Sequence, residues 1–369
     1  MPIRILHVVT YMGRGGLETM LMNYYRNIDK SKVQFDFLVH RDFEADYDAE
    51  ILAMGGRIYR LPRLNPFSKN YLSKLDAFFA EHKEYEIVHS HLDCMAGIPL
   101  KYAKKHGIPT RIAHAHSSNQ TKDKKYILKL FFKKNIKKYA NRLYGCSNAA
   151  GKWMFETDNF DVLNNAIDTP QYVFDKNKRK VVRNELNVLQ DSVVVGHVGR
   201  FSAPKNHSFI IDVFNEFQKK EEKAVLLLVG DGELKSEIEK KASELNISDK
   251  IIFTGVRTDV NDLLQAMDVF LFPSIYEGLP VSIVEAQASG LPCIISDKVP
   301  IQCKITEDVY QLSLNDSIDR WVSQTEICAK LPRENKYNDI CQAGFDIKES
   351  AEALEKTYLN LVQKKEITV

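Results

Sequence analysis

The chain has 369 residues, 44% of them apolar and 27% charged, with a formal net charge of +2. This composition suits a globular protein of about two domains and excludes a disordered or fibrous chain. No run reaches the ~18 apolar residues of a membrane-spanning helix, but charge is uneven: residues 1–168 carry a net +8 and the remainder −6, so the first half is expected to meet something anionic.

The opening MPIRILHVVTY lacks the features of a signal peptide and reads as a first strand, so a cytoplasmic location is expected. The six cysteines (94, 146, 293, 303, 328, 341) form no CxxC pair. Reduced thiols are expected rather than a zinc site or disulfide framework. Nucleic acid is not expected among the partners.

Ile3 to Thr10 reads as a strand, Tyr11 to Gly16 as a glycine turn and Leu17 to Asn27 as a helix. Gly13 and Gly15, with Asp36 as a ribose acid, invite a dinucleotide reading, but Glu18 stands where the third glycine belongs. The plainer reading is a close backbone approach, at Gly16, to an anionic or polar ligand. A tight turn with no ligand is the third. Val33 to His40 alternates as a strand. Asp46-Tyr-Asp48 has a spacing that can hold a divalent metal; it is read here as a solvated helix start favoured by the helix dipole. Arg57–Leu61, Glu86–Ser90 and Thr110–His116 read as strands, with helices from Ser68 to His82 and Ala96 to His106. Strands alternating with helices predict a doubly wound parallel sheet.

His89, His91, His114 and His116 gather at two strand ends. A metal would need all four to converge, which is not expected of adjacent parallel strands. Hydrogen bonding to a sugar hydroxyl or carbonyl is the alternative. Thr121 to Asn141 holds eight lysines and one acid, Asp123, interleaved with Ile127, Leu128, Leu130, Phe131, Phe132 and Ile136. It reads either as a basic membrane-surface helix or as an ordinary amphipathic helix packed on the core.

Leu143–Cys146 and Asp161–Leu163 read as strands, and Asn164 to Pro170 as a crossover into a second domain. Lys176 to Val188 is predicted to be a charged entry helix. Val193 to Arg200 runs from a strand through Gly199 into a loop, and Lys205-Asn206 opens the next helix. Arg200 and Lys205 in one such loop suit a diphosphate, or are two exposed cations. The strand Ala224–Val229 leads into Gly230-Asp-Gly232, glycines that let the backbone approach a flat ring. Ile251–Gly255 is a strand, followed by Arg257 to Leu264.

Phe270 to Gly290 reads FLFPSIYEGLPVSIVEAQASG. A buried strand breaks at Pro273, and Pro280 stands where a helix begins. Glu277 lies in the loop and Glu285 in the helix. Backbone N–H groups around Gly278 and Leu279 are placed to hold a phosphate or hydroxyl. Carboxylates accept from paired sugar hydroxyls, so the set suggests a sugar–phosphate–ribose ligand. The alternative is a solvated loop Glu and an exposed helix Glu.

The string SIYEGLPVSIVEAQASGLPCI resembles the nucleotide-sugar site of retaining GT-B glycosyltransferases of the family-4 type (glycosyl transferases group 1), and within them enzymes of capsule and exopolysaccharide assembly. The resemblance runs from Ile5 to about Leu361 and is strongest over 194–296. It implies an α/β protein of two doubly wound Rossmann-like domains facing a cleft. Residues 1–165 would form the acceptor-side domain and 166–347 the nucleotide-sugar domain, with a last helix, about 348–364, returning to the first. Ala166 stands where the family usually has glycine.

The resemblance further implies retaining, metal-independent transfer from a nucleotide diphosphate sugar, UDP-sugar favoured, with no cofactor. The acceptor would be a lipid-linked sugar or oligosaccharide at an anionic membrane surface met through 121–141. Arg200 and Lys205, with the N–H groups near Gly16 and Gly278, would stabilise the leaving phosphate. Glu285 would hold the ribose, Glu277 the sugar and Arg257 the neighbourhood of the base. A histidine after β-strand 110–116 touches the donor sugar in the family; His116 matches best and His114 second. Two alternatives remain: a nucleotide-sugar epimerase on the same fold, using the histidines as acid and base, and a non-catalytic sugar-nucleotide-binding assembly partner.

Overall fold

The computed structural model describes residues 1–119 and 126–366. The chain divides into two compact units: Met1–Ala166 together with the stretch from Ile347, and Ile167–Asp346.

The first unit is a parallel sheet of β1 (Ile3–Val8), β2 (Val33–Val39), β3 (Ile58–Arg60), β4 (Ile87–Ser90), β5 (Thr110–Ala115), β6 (Arg142–Gly145) and β7 (Asp161–Val162). The order is β3-β2-β1-β4-β5-β6-β7, so the chain reverses direction of winding between β1 and β4. All seven residues of β2 are buried, as a strand covered by helices on both faces requires. The last helix, Ile347–Glu366, belongs to this unit: Ala351, Leu354 and Tyr358 share its core with Tyr25, Phe35 and Phe37. Glu355 Oε2 accepts the Asp29 N–H at 3.0 Å. Ser68 caps the helix Lys69–Glu81 by accepting from the Tyr71 N–H.

Two acidic residues differ from their expected roles. Asp36 is fully buried, taking Arg4 at 2.5 and 2.6 Å, the Tyr85 hydroxyl at 2.7 Å and the Arg57 N–H at 2.7 Å. It sits mid-strand and is spent inside the sheet, so it is no ribose acid. Asp48 is buried and paired with Arg60 rather than solvated, while Asp46 is exposed.

The second unit is a parallel sheet of β8 (Val194–Val198), β9 (Val225–Val229), β10 (Ile251–Phe253), β11 (Val269–Phe272), β12 (Cys293–Ser296) and β13 (Val309–Leu312), in the order β10-β9-β8-β11-β12-β13. Its reversal lies between β8 and β11. The entry helix Lys176–Glu185 is shorter than expected and precedes Asn187, which is left-handed. It is also less solvated than its charge suggests. Arg183 is fully buried, donating to the carbonyls of Ala266, Leu189, Gln190 and Ser192 and to Asp268. Each of its three nitrogens has an acceptor, which is what makes a buried guanidinium tolerable. Ala166 is buried and does not adopt a left-handed backbone, so its position needs no glycine.

Candidate active site

In open α/β sheets, ligands bind beyond the carboxyl ends of the strands where winding reverses. In the second unit that place is formed by the loops after β8 and β11, and three contacts stitch them together. Ile275 N–H donates to Pro204 O at 2.8 Å, Asn206 Nδ2 to Pro273 O at 3.2 Å, and Lys205 Nζ to Glu277 Oε1 at 2.7 Å. Asn206 makes its bond from a left-handed backbone, φ 56°, which asparagine tolerates better than most residues. Lys205 and Glu277 keep only 20% and 12% of their side-chain surface. Lys205 Nζ also lies 4.7 Å from the Phe272 ring centre, a cation–π contact that holds the ammonium over the end of β11.

Glu285 lies in the helix Val281–Ala288, every residue of which except Ser282 is buried. Its carboxyl is pushed up to about 7 by burial, opposed by the Tyr172 hydroxyl, which donates to Oε1 at 2.8 Å. The exposed-helix reading therefore fails. An ionised carboxylate has about four lone-pair directions, and Tyr172 uses one. Gly278 and the buried Leu279 lead into this helix.

Arg200 points elsewhere. It keeps 66% of its side-chain surface and pairs with Glu233 at 3.0 Å, in the loop after β9. Arg257, after β10, is engaged by Asp259 at 2.6 and 2.8 Å. Gly199, Gly230 and Gly232 are required by loop packing. A Cβ on Gly230 would lie 2.2 Å from Gly199 O, one on Gly232 2.5 Å from Phe201 O, and one on Gly199 2.8 Å from His197 Nε2. Gly230 and Gly232 let the loops after β8 and β9 touch each other, and Gly199 clears the His197 ring, a sufficient cause without any flat ring.

In the first unit Gly16 opens the helix Gly16–Asn27, and a Cβ there would meet nothing within 4 Å. Packing does not demand this glycine. The Glu18 carboxylate folds back to 2.3 Å from where a Gly15 Cβ would lie, beside the helix start.

The histidines do converge, contrary to the sequence expectation. Residues two apart on a strand share a face. His7 pairs in register with His89, and His89 with Ile112, so His7, His89, His91, His114 and His116 all fall on one face. Imidazole nitrogens of His7, His89 and His91, and of His91, His114 and His116, lie within 4.8 Å of one another. Four of the rings are buried and His116 is half-buried. Burial holds all five well below the usual histidine range. His7 and Tyr172 were absent from the sequence-derived site. His7 carries the signal that finds it, a histidine in β1 at the register of His89; Tyr172 carries none.

The lysine-rich stretch is two helices, Tyr126–Lys134 and Ile136–Tyr139, broken at Asn135; its start, 121–125, lies outside the described residues. Lys133 turns inward, against the expected basic face. It is buried, pairs with Glu156 at 2.9 Å and sits 4.6 Å from the Trp153 ring centre.

Known proteins bear on this geometry. The family model described as "Glycosyl transferases group 1" matches residues 178–336, and "Glycosyltransferase Family 4" matches 14–171. The putative glycosyltransferase EpsF of Bacillus subtilis is 34% identical, over 96% of this chain and 96% of its own. A UDP-Gal:alpha-D-GlcNAc-diphosphoundecaprenol alpha-1,3-galactosyltransferase of Escherichia coli is 26% identical over 77% of each. The structure of Anabaena HepE with UDP and glucose superposes with a TM-score of 0.81 at 16% identity, covering 97% of this chain and 100% of that one. The chain belongs to the group 1 glycosyltransferases, has the GT-B fold, and resembles the enzymes of exopolysaccharide and capsule assembly.

Proposed function

We propose that the protein transfers a sugar, with retention at the anomeric carbon and without a divalent metal, from a UDP-sugar to a lipid-linked or oligosaccharide acceptor in cell-surface glycan assembly. The observation that carries this reading is the second unit's pairing of Lys205 with Glu277, in the loop that leads into the helix of the buried Glu285. Glu285 accepts from the ribose hydroxyls. Glu277 orients the sugar, and Lys205, drawn to the donor, meets its diphosphate. As the anomeric bond breaks, charge grows on the β-phosphate, where a fixed ammonium and helix-start amides stabilise it most. A phosphate oxygen then takes the acceptor's proton. On this reading Arg200, 66% exposed in its ion pair with Glu233, leaves that pair to join the phosphate. The same reading assigns His116 to the donor sugar, Gly16 to the phosphate and Arg257 to the base. Metal independence is supported by Asp48, which is buried and whose charge is already answered by Arg60. The E. coli relative, whose name gives a UDP-sugar donor and a diphosphoundecaprenol-linked acceptor, supports the choice of substrates.

A specific surface supports docking at an anionic membrane on the cytoplasmic side. Phe67, Ile127 and Phe131 are 70%, 82% and 62% exposed, all in the first unit. Phe131 and Phe132 line a cavity of about 250 Å³ with Leu72, Ile98 and Lys101. Exposed Lys134, Lys137 and Lys138 stand on the same two short helices. Apolar side chains with lysines beside them suit a headgroup interface. No helix among the described residues is long and apolar enough to cross a membrane.

The test is product analysis by NMR with a panel of UDP-sugars and a diphosphate-lipid-linked sugar. A new glycosidic bond with the donor's anomeric configuration is expected. Inversion would contradict the mechanism, and conversion of the donor sugar without acceptor would point to an epimerase.

A further inference from the structure

We propose that His91 and His7 are positioning residues that fix the tautomer of His116, so that His116 presents an Nδ1–H donor. This rests on the reading of His116 as the residue that touches the donor sugar.

The three rings form an unbranched chain. His7 Nδ1 lies 3.0 Å from His91 Nε2, and His91 Nδ1 lies 3.0 Å from His116 Nε2. Both nitrogens of His91 are therefore used, one on each side. Each neutral imidazole carries one N–H and one lone pair, so the two links must run in the same direction. Only two arrangements exist, and they differ at the ends.

The inner end decides between them. His7 Nε2 is buried with no hydrogen-bond partner among the described residues. Its ring packs against Phe35, at 4.2 Å between ring centres, and Phe37. If Nε2 carried the proton, a donor would be orphaned; if not, only a lone pair is. Orphaned buried N–H groups are the rarer and costlier case. His7 Nδ1–H therefore donates to His91 Nε2, and His91 Nδ1–H donates to His116 Nε2. His116 is left with its proton on Nδ1, the nitrogen His91 does not engage. The backbone of His116 is pinned as well, its N–H donating to Asp93 Oδ1 at 2.9 Å.

Switching the tautomer of His116 would require the protons of all three rings to move. His116 Nδ1 is thus a fixed donor, suited to a sugar oxygen, and not a base. A second pair of links, between the Tyr358 hydroxyl and His89 Nδ1 at 2.8 Å and between His89 Nε2 and His114 Nδ1 at 3.2 Å, stacks on the first with His89 and His91 ring centres 4.3 Å apart. It leaves the chain through His91 unbranched.

The test combines long-range 15N NMR of histidine-labelled full-length protein with kinetics. The spectrum is expected to show His7, His91 and His116 all as Nδ1–H tautomers. H91F, which removes the link but keeps a ring, is expected to lower kcat roughly tenfold with donor KM unchanged, the loss of about one hydrogen bond's effect. H91N keeps a donor at the Nδ1 position and should recover most of that loss. The double variant H91F/H116A should be no worse than H116A alone. An Nε2–H tautomer at His116, or normal H91F kinetics beside an impaired H116A, would overturn the chain. So would a stoichiometric transition metal bound through these rings in the purified protein. Normal activity in H116A would instead overturn the sugar role of His116, and the NMR spectrum would still decide the chain.

Discussion

Lys205 Nζ and Glu277 Oε1, 72 positions apart in the chain, lie 2.7 Å from each other where the loops after β8 and β11 meet. The cation expected to meet phosphate and the carboxylate expected to meet sugar are thus one partly buried ion pair. Under the proposed function, binding of the donor would share Lys205 between Glu277 and a phosphate.

That sharing predicts separable effects. K205M keeps the apolar stem over Phe272 but removes the charge. Steady-state kinetics should show kcat falling by about 10²-fold, with donor KM changed far less, because the charge matters most as the phosphate leaves. Normal turnover with only a raised KM would contradict the assignment.

Glu285 predicts a pH dependence. Burial raises its carboxyl from the usual range to about 7, so the folded protein favours the protonated form. Its contribution to stability is present below the ordinary carboxylate range and is lost as pH rises through about 7. Nucleotide binding runs the other way, since ribose hydroxyls need the ionised acceptor. Calorimetry should show affinity weakening as pH falls below about 7, with proton release on binding. E285Q should flatten both the affinity and the thermal-stability profiles. An unchanged profile in E285Q would remove Glu285 as the titrating group.

Chelation with EDTA should leave transfer intact. Asp48 is buried and its charge already answers Arg60, so a metal at Asp46 and Asp48 would have to compete with that guanidinium. Loss of activity on chelation, restored by manganese, would contradict metal independence.

Vesicle sedimentation tests the surface around Phe131. The protein should pellet with anionic but not neutral vesicles and be released by salt, since the attraction fades within about 8 Å at physiological ionic strength. K134Q/K137Q/K138Q should abolish pelleting without changing nucleotide affinity. Lys133 is left out because it pairs with Glu156 inside the unit. Equal pelleting with both vesicle types, or none, would leave the helix as packing.

Much of this was legible in the sequence. The alternation of apolar runs with capped helices, such as Ser68 before Lys69–Glu81, carries the parallel sheets, and the Glu277–Glu285 spacing marks the loop and helix after β11. The histidine convergence was misread: His89-x-His91 and His114-x-His116 have the two-residue period of one strand face, but the register that aligns β1, β4 and β5 is not written in either string. Other features depend on partners that no local pattern names. Lys133 looks solvated until Trp153 and Glu156 are brought beside it, and Asp36 looks free until Arg4 and Tyr85 close on it. Tyr172 reaches Glu285 across 113 positions. β13, only four residues with just the two ends buried, is too short for its pattern to stand out.

Calorimetric titration of UDP into the wild-type protein and E285A tests the central claim most directly. One UDP site per chain is expected, weakened in E285A by about 1.5–3 kcal/mol, the value of a hydrogen-bonded charge, with GDP binding more weakly than UDP. Equal UDP affinity in the two proteins, or no binding of any nucleoside diphosphate, would contradict it.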